Sequence, residues 1–212
     1  MAANLDKLNR RALSKEVRRR ELIDATIKCI ARKGLGNTTL ADVASEAGLS
    51  QGIVNLHFQS KDNLLAETLR SIADEYHEQF METLDDSGPD PAMQLLALME
   101  MDLKPSICDR KKLAVWFAFL GEVKAVPTYR KICSQRNQDY DRIMLELATA
   151  VIQNGGYEDI NPRSVADVLS SLTDGMWLSC LMNPGSFDRQ QALDTIRHYL
   201  QAVFPDRYNQ GW

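Results

Sequence analysis

Apolar residues recur at intervals of three and four along most of this chain, which is the period of amphipathic helices. No stretch of useful length alternates apolar and polar residues as a strand would. Breaks at Gly and Pro divide the pattern into nine predicted helices, three in an N-terminal head and six in the body. The first runs from about Lys15 to Lys33, two short ones lie between Thr39 and Phe58, and a long one starts at Ser60. The others lie at about 92–103, 110–124, 128–153, 162–181 and 188–203.

The segment from Thr39 to Leu65 predicts a helix-turn-helix unit. Thr39 and Asp42 have the spacing of a capping box, in which each side chain satisfies a free amide of the first turn. Gly48 follows the last apolar position and suits the left-handed conformation that ends a helix. Ser50 is a typical N-cap for the short second helix. This order of elements is the one that places a recognition helix in the major groove of DNA.

The second short helix leaves several polar groups on its outer face. Gln51 and Asn55 carry paired donors and acceptors that match the major-groove edge of adenine. Gly52 allows the backbone to approach a phosphate closely, and His57 can donate to one. The alternative is a capped helical hairpin within a bundle, with these residues as ordinary polar surface.

The unit resembles the TetR family of bacterial repressors, with Gly34 ending the first helix and Phe58–Asp62 following the second. The resemblance covers roughly Arg18 to Leu69. It implies that seven positions approach DNA: Thr39, Ser50, Gln51, Gly52, Asn55, His57 and Lys61. His57 departs from the family, which usually has Tyr there, so this contact is expected to be weaker or pH-sensitive near the ordinary histidine pKa of about 6.5. A surface histidine without a DNA role is the alternative.

Charge is divided unevenly along the chain. Residues 1–61 carry 11 Lys and Arg against 6 Asp and Glu, whereas residues 62–212 carry 14 against 23. A basic head on an acidic body fits one end facing phosphates. We therefore predict a DNA-binding domain at 1–61 and a helical ligand and dimerisation domain at 62–212. Arg11, Lys15 and Arg18 share one face of the first helix and are candidate phosphate contacts, although a solvated or frayed helix start explains each of them equally well.

The last two predicted helices carry an excess of apolar positions. The resemblance implies that these helices pair with their copies in a second subunit as a four-helix bundle, so that two recognition helices read a palindrome. An ordinary core within one chain is the alternative. The candidate dimer residues are Leu169, Leu172, Met176, Ile196, Tyr199, Leu200 and Val203.

Aromatic residues and carboxylates in the body suggest an effector site. The candidates are Trp116, Phe119, Tyr140, Asp174 and Trp177. Aromatic faces beside a carboxylate suit a quaternary ammonium cation, which cannot donate N–H hydrogen bonds. Aromatic residues at helical spacing are usually core, so packing is the alternative. The segments 113–119 and 172–178 resemble the choline-responsive, BetI-like branch of the family, which implies an effector such as choline.

The sequence favours a homodimeric repressor that binds double-stranded DNA and is released by a small effector. A DNA-bound protein whose body binds a protein partner is the alternative. An enzyme is disfavoured, because the chain shows no metal-ligand spacing, phosphate loop or nucleophile elbow, and we expect no cofactor and no metal. No apolar run is long enough to span a bilayer, so we expect no membrane contact and a cytoplasmic protein. The four dispersed cysteines are expected to be reduced and buried, with a redox sensor as the disfavoured alternative.

Overall fold

The computed structural model describes the backbone of residues 2–208 and the side chains of residues 15–208, and the described part is entirely helical and turn. Ten helices occur within this range, one more than the sequence predicts. They are α1 (Ala2–Lys33), α2 (Leu40–Glu46), α3 (Gln51–Phe58), α4 (Lys61–Asp86), α5 (Pro91–Asp102), α6 (Arg110–Glu122), α7 (Pro127–Gly155), α8 (Pro162–Met182), α9 (Arg189–Val203) and α10 (Pro205–Tyr208).

The chain forms two compact units. The first contains the described residues up to Ile72 together with Ala114–Arg130, and the second contains Ala73–Leu113 and the described residues from Lys131 onward. Helix α4 contributes its first turns to one unit and its remainder to the other, as α6 and α7 also do. The sequence division at residues 61 and 62 stays a prediction about domains.

The core of the first unit joins α1, α2, α3 and the start of α4. Its fully buried side chains come from all four helices: Leu22, Ala25, Cys29, Val43, Ala44, Val54, Phe58 and Leu64. Leu49, in the turn between α2 and α3, packs against this cluster. Burial of the apolar faces of two such short helices is what fixes them, because helices of this length are not stable alone.

Side chains cap the starts of several helices. Thr39 and Asp42 form a complete capping box at α2, and the Asn161 side chain accepts from the Ser164 amide at 3.1 Å at the start of α8. Gly48 has φ +66°, the left-handed conformation predicted for it. Ser50 occupies the N-cap position of α3, but its side chain makes no capping hydrogen bond.

Two helical segments differ from the sequence prediction. Helix α1 begins at Ala2, thirteen residues before the predicted start at Lys15, because the intervening residues are largely Ala, Leu, Lys and Arg, which favour helix. Helix α10 is a single turn that begins with Pro205, whose ring presets the helical φ. Its Tyr208 hydroxyl donates to the Ala92 carbonyl oxygen at 2.7 Å, which ties this turn to α5.

Candidate functional site

The outer face of α3 presents the residues predicted to read DNA. Gln51, Gly52 and Asn55 are exposed, while Val54 and Phe58 are fully buried and hold the helix to the core beneath. Leu56 is 72% exposed, which is unusual for a leucine in a short helix. The face therefore offers amide groups and one apolar side chain to a groove, and an apolar side chain suits contact with a thymine methyl group.

Two of the predicted DNA contacts have partners within the protein. The Thr39 hydroxyl donates to Asp42 Oδ2 at 2.8 Å, and Lys61 Nζ donates to the Gly36 carbonyl oxygen at 3.3 Å. The hydrogen bonds from Lys33 and Thr39 lower the pKa of Asp42 to about 2, so the capping carboxylate stays ionised. Both Thr39 and Lys61 keep contact with solvent and lie near helix ends, where backbone amides favour phosphate.

The basic face of α1 divides into exposed and anchoring residues. Arg18 is exposed and pairs with Glu21 at 2.6 Å, and Lys15 is exposed as well. The Arg11 side chain lies outside the described side chains. Arg19, which the sequence did not single out, donates from Nη1 to the His57 carbonyl oxygen at 3.0 Å. Only the position of Arg19 between the two helices distinguishes it from its arginine neighbours.

His57 lies at the C-terminal end of α3 and is partly buried. Loss of solvation lowers its pKa below the ordinary 6.5, and the nearby positive charges of Arg19, Lys15 and Arg18 lower the pKa further. Its Nδ1 is buried and has no hydrogen-bond partner among the described residues. The imidazole is therefore neutral near pH 7 and can donate a hydrogen bond without carrying a full positive charge.

A network of buried polar groups lies in the second unit, where α4, α5 and α8 meet. The Asp102 carboxylate accepts from the Tyr76 hydroxyl at 2.7 Å and from the Thr173 hydroxyl at 3.0 Å. Trp177 Nε1 donates to the Asp102 carbonyl oxygen at 2.8 Å. The Tyr76 and Trp177 rings meet edge to face at 5.8 Å between centroids. The two hydrogen bonds to Asp102 therefore fix the orientations of the Tyr76 and Trp177 rings.

A guanidinium group lies among these rings. Arg136 Cζ is 4.0 Å from the Tyr76 ring centroid, 5.5 Å from that of Trp177 and 6.0 Å from that of Tyr140. Distances up to about 6 Å give an attractive cation–π interaction. We call Tyr76, Tyr140 and Trp177 the aromatic cage.

A cavity of about 90 Å³ adjoins the cage and is lined in part by Tyr76, Arg136, Tyr140 and Asp174. The Tyr140 hydroxyl is buried near the Ser170 and Thr173 hydroxyls, but neither of them meets the geometry of a full hydrogen bond with it. A buried hydroxyl without a partner is costly in a folded protein. This hydroxyl is therefore available to a bound molecule.

Two carboxyl groups lie beside the cage, and nearby charge changes their pKa values. Burial raises the pKa of Asp102 to about 6, and the Tyr76 hydrogen bond and the Arg136 charge oppose this rise. Partial desolvation also raises the pKa of Asp174, which keeps contact with solvent, and Arg136 again opposes the rise. A positive charge in the cage therefore stabilises both carboxylates.

The structure brings Tyr140, Asp174 and Trp177 together, as the sequence analysis selected them. Trp116 and Phe119 belong to the first unit, where both are buried and Phe119 meets Tyr129 edge to face at 4.8 Å. Their part in ligand binding stays a prediction. The sequence did not single out Tyr76, Asp102 or Arg136. Asp102 lies in a largely apolar helix, and a carboxylate in such a helix could have indicated a buried polar site.

The predicted dimer residues differ in accessibility. Leu169, Ile196 and Leu200 are buried within this chain, so they pack beneath the exposed faces of α8 and α9. Leu172, Met176, Tyr199 and Val203 keep partial exposure. A groove of about 530 Å³ between α8 and α9 includes Leu172 and Met176 in its lining. The large apolar side chains that α8 exposes are Val168, Leu178 and Met182.

Comparison with known proteins identifies the class. The C-terminal sequence profile of BetI-type transcriptional repressors matches residues 91–205, and the profile of the bacterial regulatory proteins of the tetR family matches residues 22–68. The chain belongs to the TetR family of transcriptional regulators and to its BetI-type branch. The matched proteins are transcriptional regulators and not enzymes.

Individual relatives agree with this assignment. An HTH-type transcriptional regulator BetI from Burkholderia thailandensis is 29% identical over 194 residues, which are 91% of this chain and 96% of that protein. A crystal structure described as a transcriptional regulator from Pseudomonas aeruginosa PAO1 superimposes with a TM-score of 0.79 at 25% identity, covering 92% and 94% of the two chains. A regulator from Saccharomonospora viridis, solved in complex with choline, has the same fold, with a TM-score of 0.77 at 23% identity and coverage of 86% and 95%.

Two features are absent from the part of the chain that the structure describes. Within this range we find no helix that is both long and apolar enough to cross a membrane. The same range contains no group of three or more His, Cys, Asp and Glu side chains arranged to hold a metal ion.

Proposed function

We propose that this chain is a homodimeric repressor that binds a palindromic operator and releases it when a small quaternary ammonium compound, such as choline, binds the aromatic cage. The observation that carries the effector class is the placement of three aromatic rings around a positively charged group beside two carboxyl groups. Rings with a nearby carboxylate attract a cation that has no N–H donor.

The proposed DNA contacts divide by chemistry. Gln51 and Asn55 are assigned to base edges, because their amides are exposed on the outer face of α3. Gly52 and Ser50 are assigned to a close approach of the backbone to phosphate. Phosphate contacts from charged or polar side chains are assigned to Arg18, Thr39, His57 and Lys61. Such a protein would act in the cytoplasm, where bacterial DNA lies.

Each proposed effector contact has one role. The Trp177 and Tyr76 rings supply the faces for the cation, the Asp174 carboxylate supplies the opposite charge, and the unsatisfied Tyr140 hydroxyl supplies a hydrogen bond to a polar group of the effector. Effector binding shifts the dimer toward a state that does not fit the operator. This shift requires a higher effector affinity for that state.

The proposed dimer uses the partly exposed apolar side chains of α8 and α9. Leu172, Met176, Tyr199 and Val203 would contact the same surface of a second copy around a two-fold axis. The exposed Leu178 and Met182 on α8 extend this apolar surface. Two recognition helices would then lie about one DNA turn apart, roughly 34 Å.

The experiment that tests the effector class is calorimetric titration of the purified protein with choline. Asp174→Asn removes one charge while keeping the side-chain shape, and we expect it to weaken choline binding about tenfold. Asp167→Asn on the same helix is the matched control, because Asp167 pairs with Arg163 on the surface at 2.9 Å. Equal choline affinity of the Asp174 variant and the control would remove the cage from the proposal.

A further inference from the structure

Arg136 places its own positive charge where the cage would hold a ligand. Its guanidinium carbon lies within 6.0 Å of three ring centroids, and the shortest of these distances, 4.0 Å, is to Tyr76. A guanidinium over an aromatic face uses the same electrostatic attraction that a quaternary ammonium group uses. The side chain and a cationic ligand therefore compete for one set of faces.

The space beside Arg136 is too small for both groups. The adjoining cavity has a volume of about 90 Å³, and Arg136 forms part of its lining. An apolar cavity of roughly 150 Å³ accommodates benzene, and choline is larger than benzene. A ligand of that size fits only when the guanidinium moves away from the rings.

The exchange of one cation for another keeps the charge balance. Arg136 acts on both Asp102 and Asp174, and a monocation in its place would act on the same carboxylates. Two positive charges in the cage would repel each other in a region of low dielectric constant. A neutral or anionic ligand would leave the carboxylates without a counter-charge once Arg136 had moved.

The route out of the cage is short. Arg136 is only partly buried, and its Nη1 already donates to Asn137 Oδ1 at 3.2 Å on the exposed side of α7. Long arginine side chains keep their charged ends hydrated while their stems cover apolar surface. The guanidinium can therefore reach water by side-chain rotation, without unfolding of α7.

We infer that Arg136 is an internal competitor that occupies the aromatic cage in the effector-free protein and must be displaced by a cationic effector. This inference rests on the proposed effector class. It assigns to Arg136 two effects: it lowers the apparent affinity for every cation, and it restricts the site to ligands that carry a positive charge. The apparent dissociation constant equals the intrinsic one divided by the fraction of molecules in which Arg136 has left the cage.

The test compares the full-length protein with Arg136→Met, which is neutral and of similar length, and with Arg136→Lys, which keeps the charge. Arg142→Met on the same helix is the control, since Arg142 pairs with Glu146 on the surface at 3.2 Å. Choline and tetramethylammonium are titrated at pH 8, where Asp102 stays ionised more fully. We expect Arg136→Met to bind both cations about tenfold more tightly than the wild type, and Arg142→Met to bind within twofold of it.

The outcomes separate the inference from the function on which it rests. Binding by Arg136→Met that is equal to or weaker than wild-type binding would overturn the inference and leave the cage as the effector site. No binding of either cation by any of the folded proteins would overturn the proposed effector class, and the inference with it. Binding by Arg136→Met alone would support the inference strongly. Thermal melting with and without choline shows whether Arg136→Met folds, and Arg136→Gln replaces it if it does not.

Discussion

The guanidinium of Arg19 and the main-chain carbonyl oxygen of His57 are joined by a 3.0 Å hydrogen bond, which ties α1 to the C-terminal end of α3. The same guanidinium lies 4.7 Å from the Phe58 ring centroid and reaches Glu67 on α4 at 3.1 Å. One side chain thus fixes the direction of the proposed recognition helix relative to two neighbouring helices. Because the Arg19 guanidinium makes these three interactions within the protein, we assign it to positioning α3 and not to contact with a DNA phosphate.

We predict that Arg19→Met destabilises the protein by about 1–3 kcal/mol, because hydrogen bonds that involve a charged group contribute about that much. Operator affinity should fall as well, since α3 loses its anchor. Urea unfolding and DNA titration measure the two effects. Arg20→Met is the control, because Arg20 is exposed. Equal stability of the two variants would mean that Arg19 does not hold α3 in place.

Two glycines of the head provide a matched pair. Gly48 has φ +66°, and a Cβ there would meet no atom within 4 Å, so Gly48→Ala should cost about 1–2 kcal/mol from backbone strain alone. Gly52 lies in α3, where an added Cβ would only touch Ser50 Oγ at 3.8 Å. Gly52→Ala should therefore keep or raise stability by up to about 1 kcal/mol.

The same pair separates folding from DNA binding. We predict that Gly52→Ala weakens operator binding, because its methyl group would stand between the backbone and a phosphate. Gly48→Ala should bind the operator normally at temperatures where it is folded. Chemical denaturation and fluorescence anisotropy with labelled operator test this division. Unchanged operator affinity of Gly52→Ala would remove the close backbone approach from the account.

Asp102 should make stability depend on pH. Its folded-state pKa of about 6 lies above the unfolded value of about 3.9, so the folded protein binds the proton more tightly. Stability from this group is therefore greatest below the unfolded pKa and is lost as the pH rises through about 6. Between pH 7.5 and pH 5, the wild type should gain about 1 kcal/mol more stability than Asp102→Asn.

Denaturant unfolding at the two pH values gives that difference directly. Asp102→Asn keeps an oxygen that accepts from Tyr76 or Thr173, so its fold should survive. Asp85→Asn, an exposed change on α4, is the control and should follow the wild type. Identical pH dependence in the wild type and Asp102→Asn would show that Asp102 is not the titrating group.

If α8 and α9 form the dimer surface, a charge placed on that surface should convert the dimer into monomers. Met176→Glu puts a charge into the groove between α8 and α9, and burying an unpaired charge costs several kcal/mol. We expect this variant to be monomeric by light scattering after size exclusion and to lose cooperative operator binding. Met93→Glu on α5 is the control, because Met93 is also partly exposed and apolar. A dimeric Met176→Glu would move the interface elsewhere.

Local signals predicted the head well. The capping box at Thr39, the left-handed Gly48 and the apolar spacing around Val43 act within a few residues, so one sequence contains all their partners. The sequence pattern did not predict helix α10, because a single turn is too short to show a helical period. Ser50 was placed correctly at an N-cap, but propensity alone does not ensure that the hydroxyl bonds.

The cage was predicted in part. Tyr140, Asp174 and Trp177 were chosen by residue type, and they do meet in one unit. The contact of Arg136 with the aromatic rings was not predicted. Its neighbours in the sequence are polar, so no local pattern indicates this contact. Tyr76 has the apolar spacing of α4, which indicates packing, and its hydroxyl partner Asp102 is 26 residues away in the sequence. Contacts at such separations depend on how the helices pack.

The most direct test is binding of the full-length protein to the DNA upstream of its own gene, at fixed salt, with and without choline. The account predicts specific binding to a palindromic site that choline weakens. In Asp174→Asn it predicts intact DNA binding and about tenfold more choline for the same release. Specific binding that choline leaves unchanged would contradict the proposed effector and favour a protein partner for the body. Absence of specific binding to this DNA would contradict the prediction of a palindromic operator upstream of the gene.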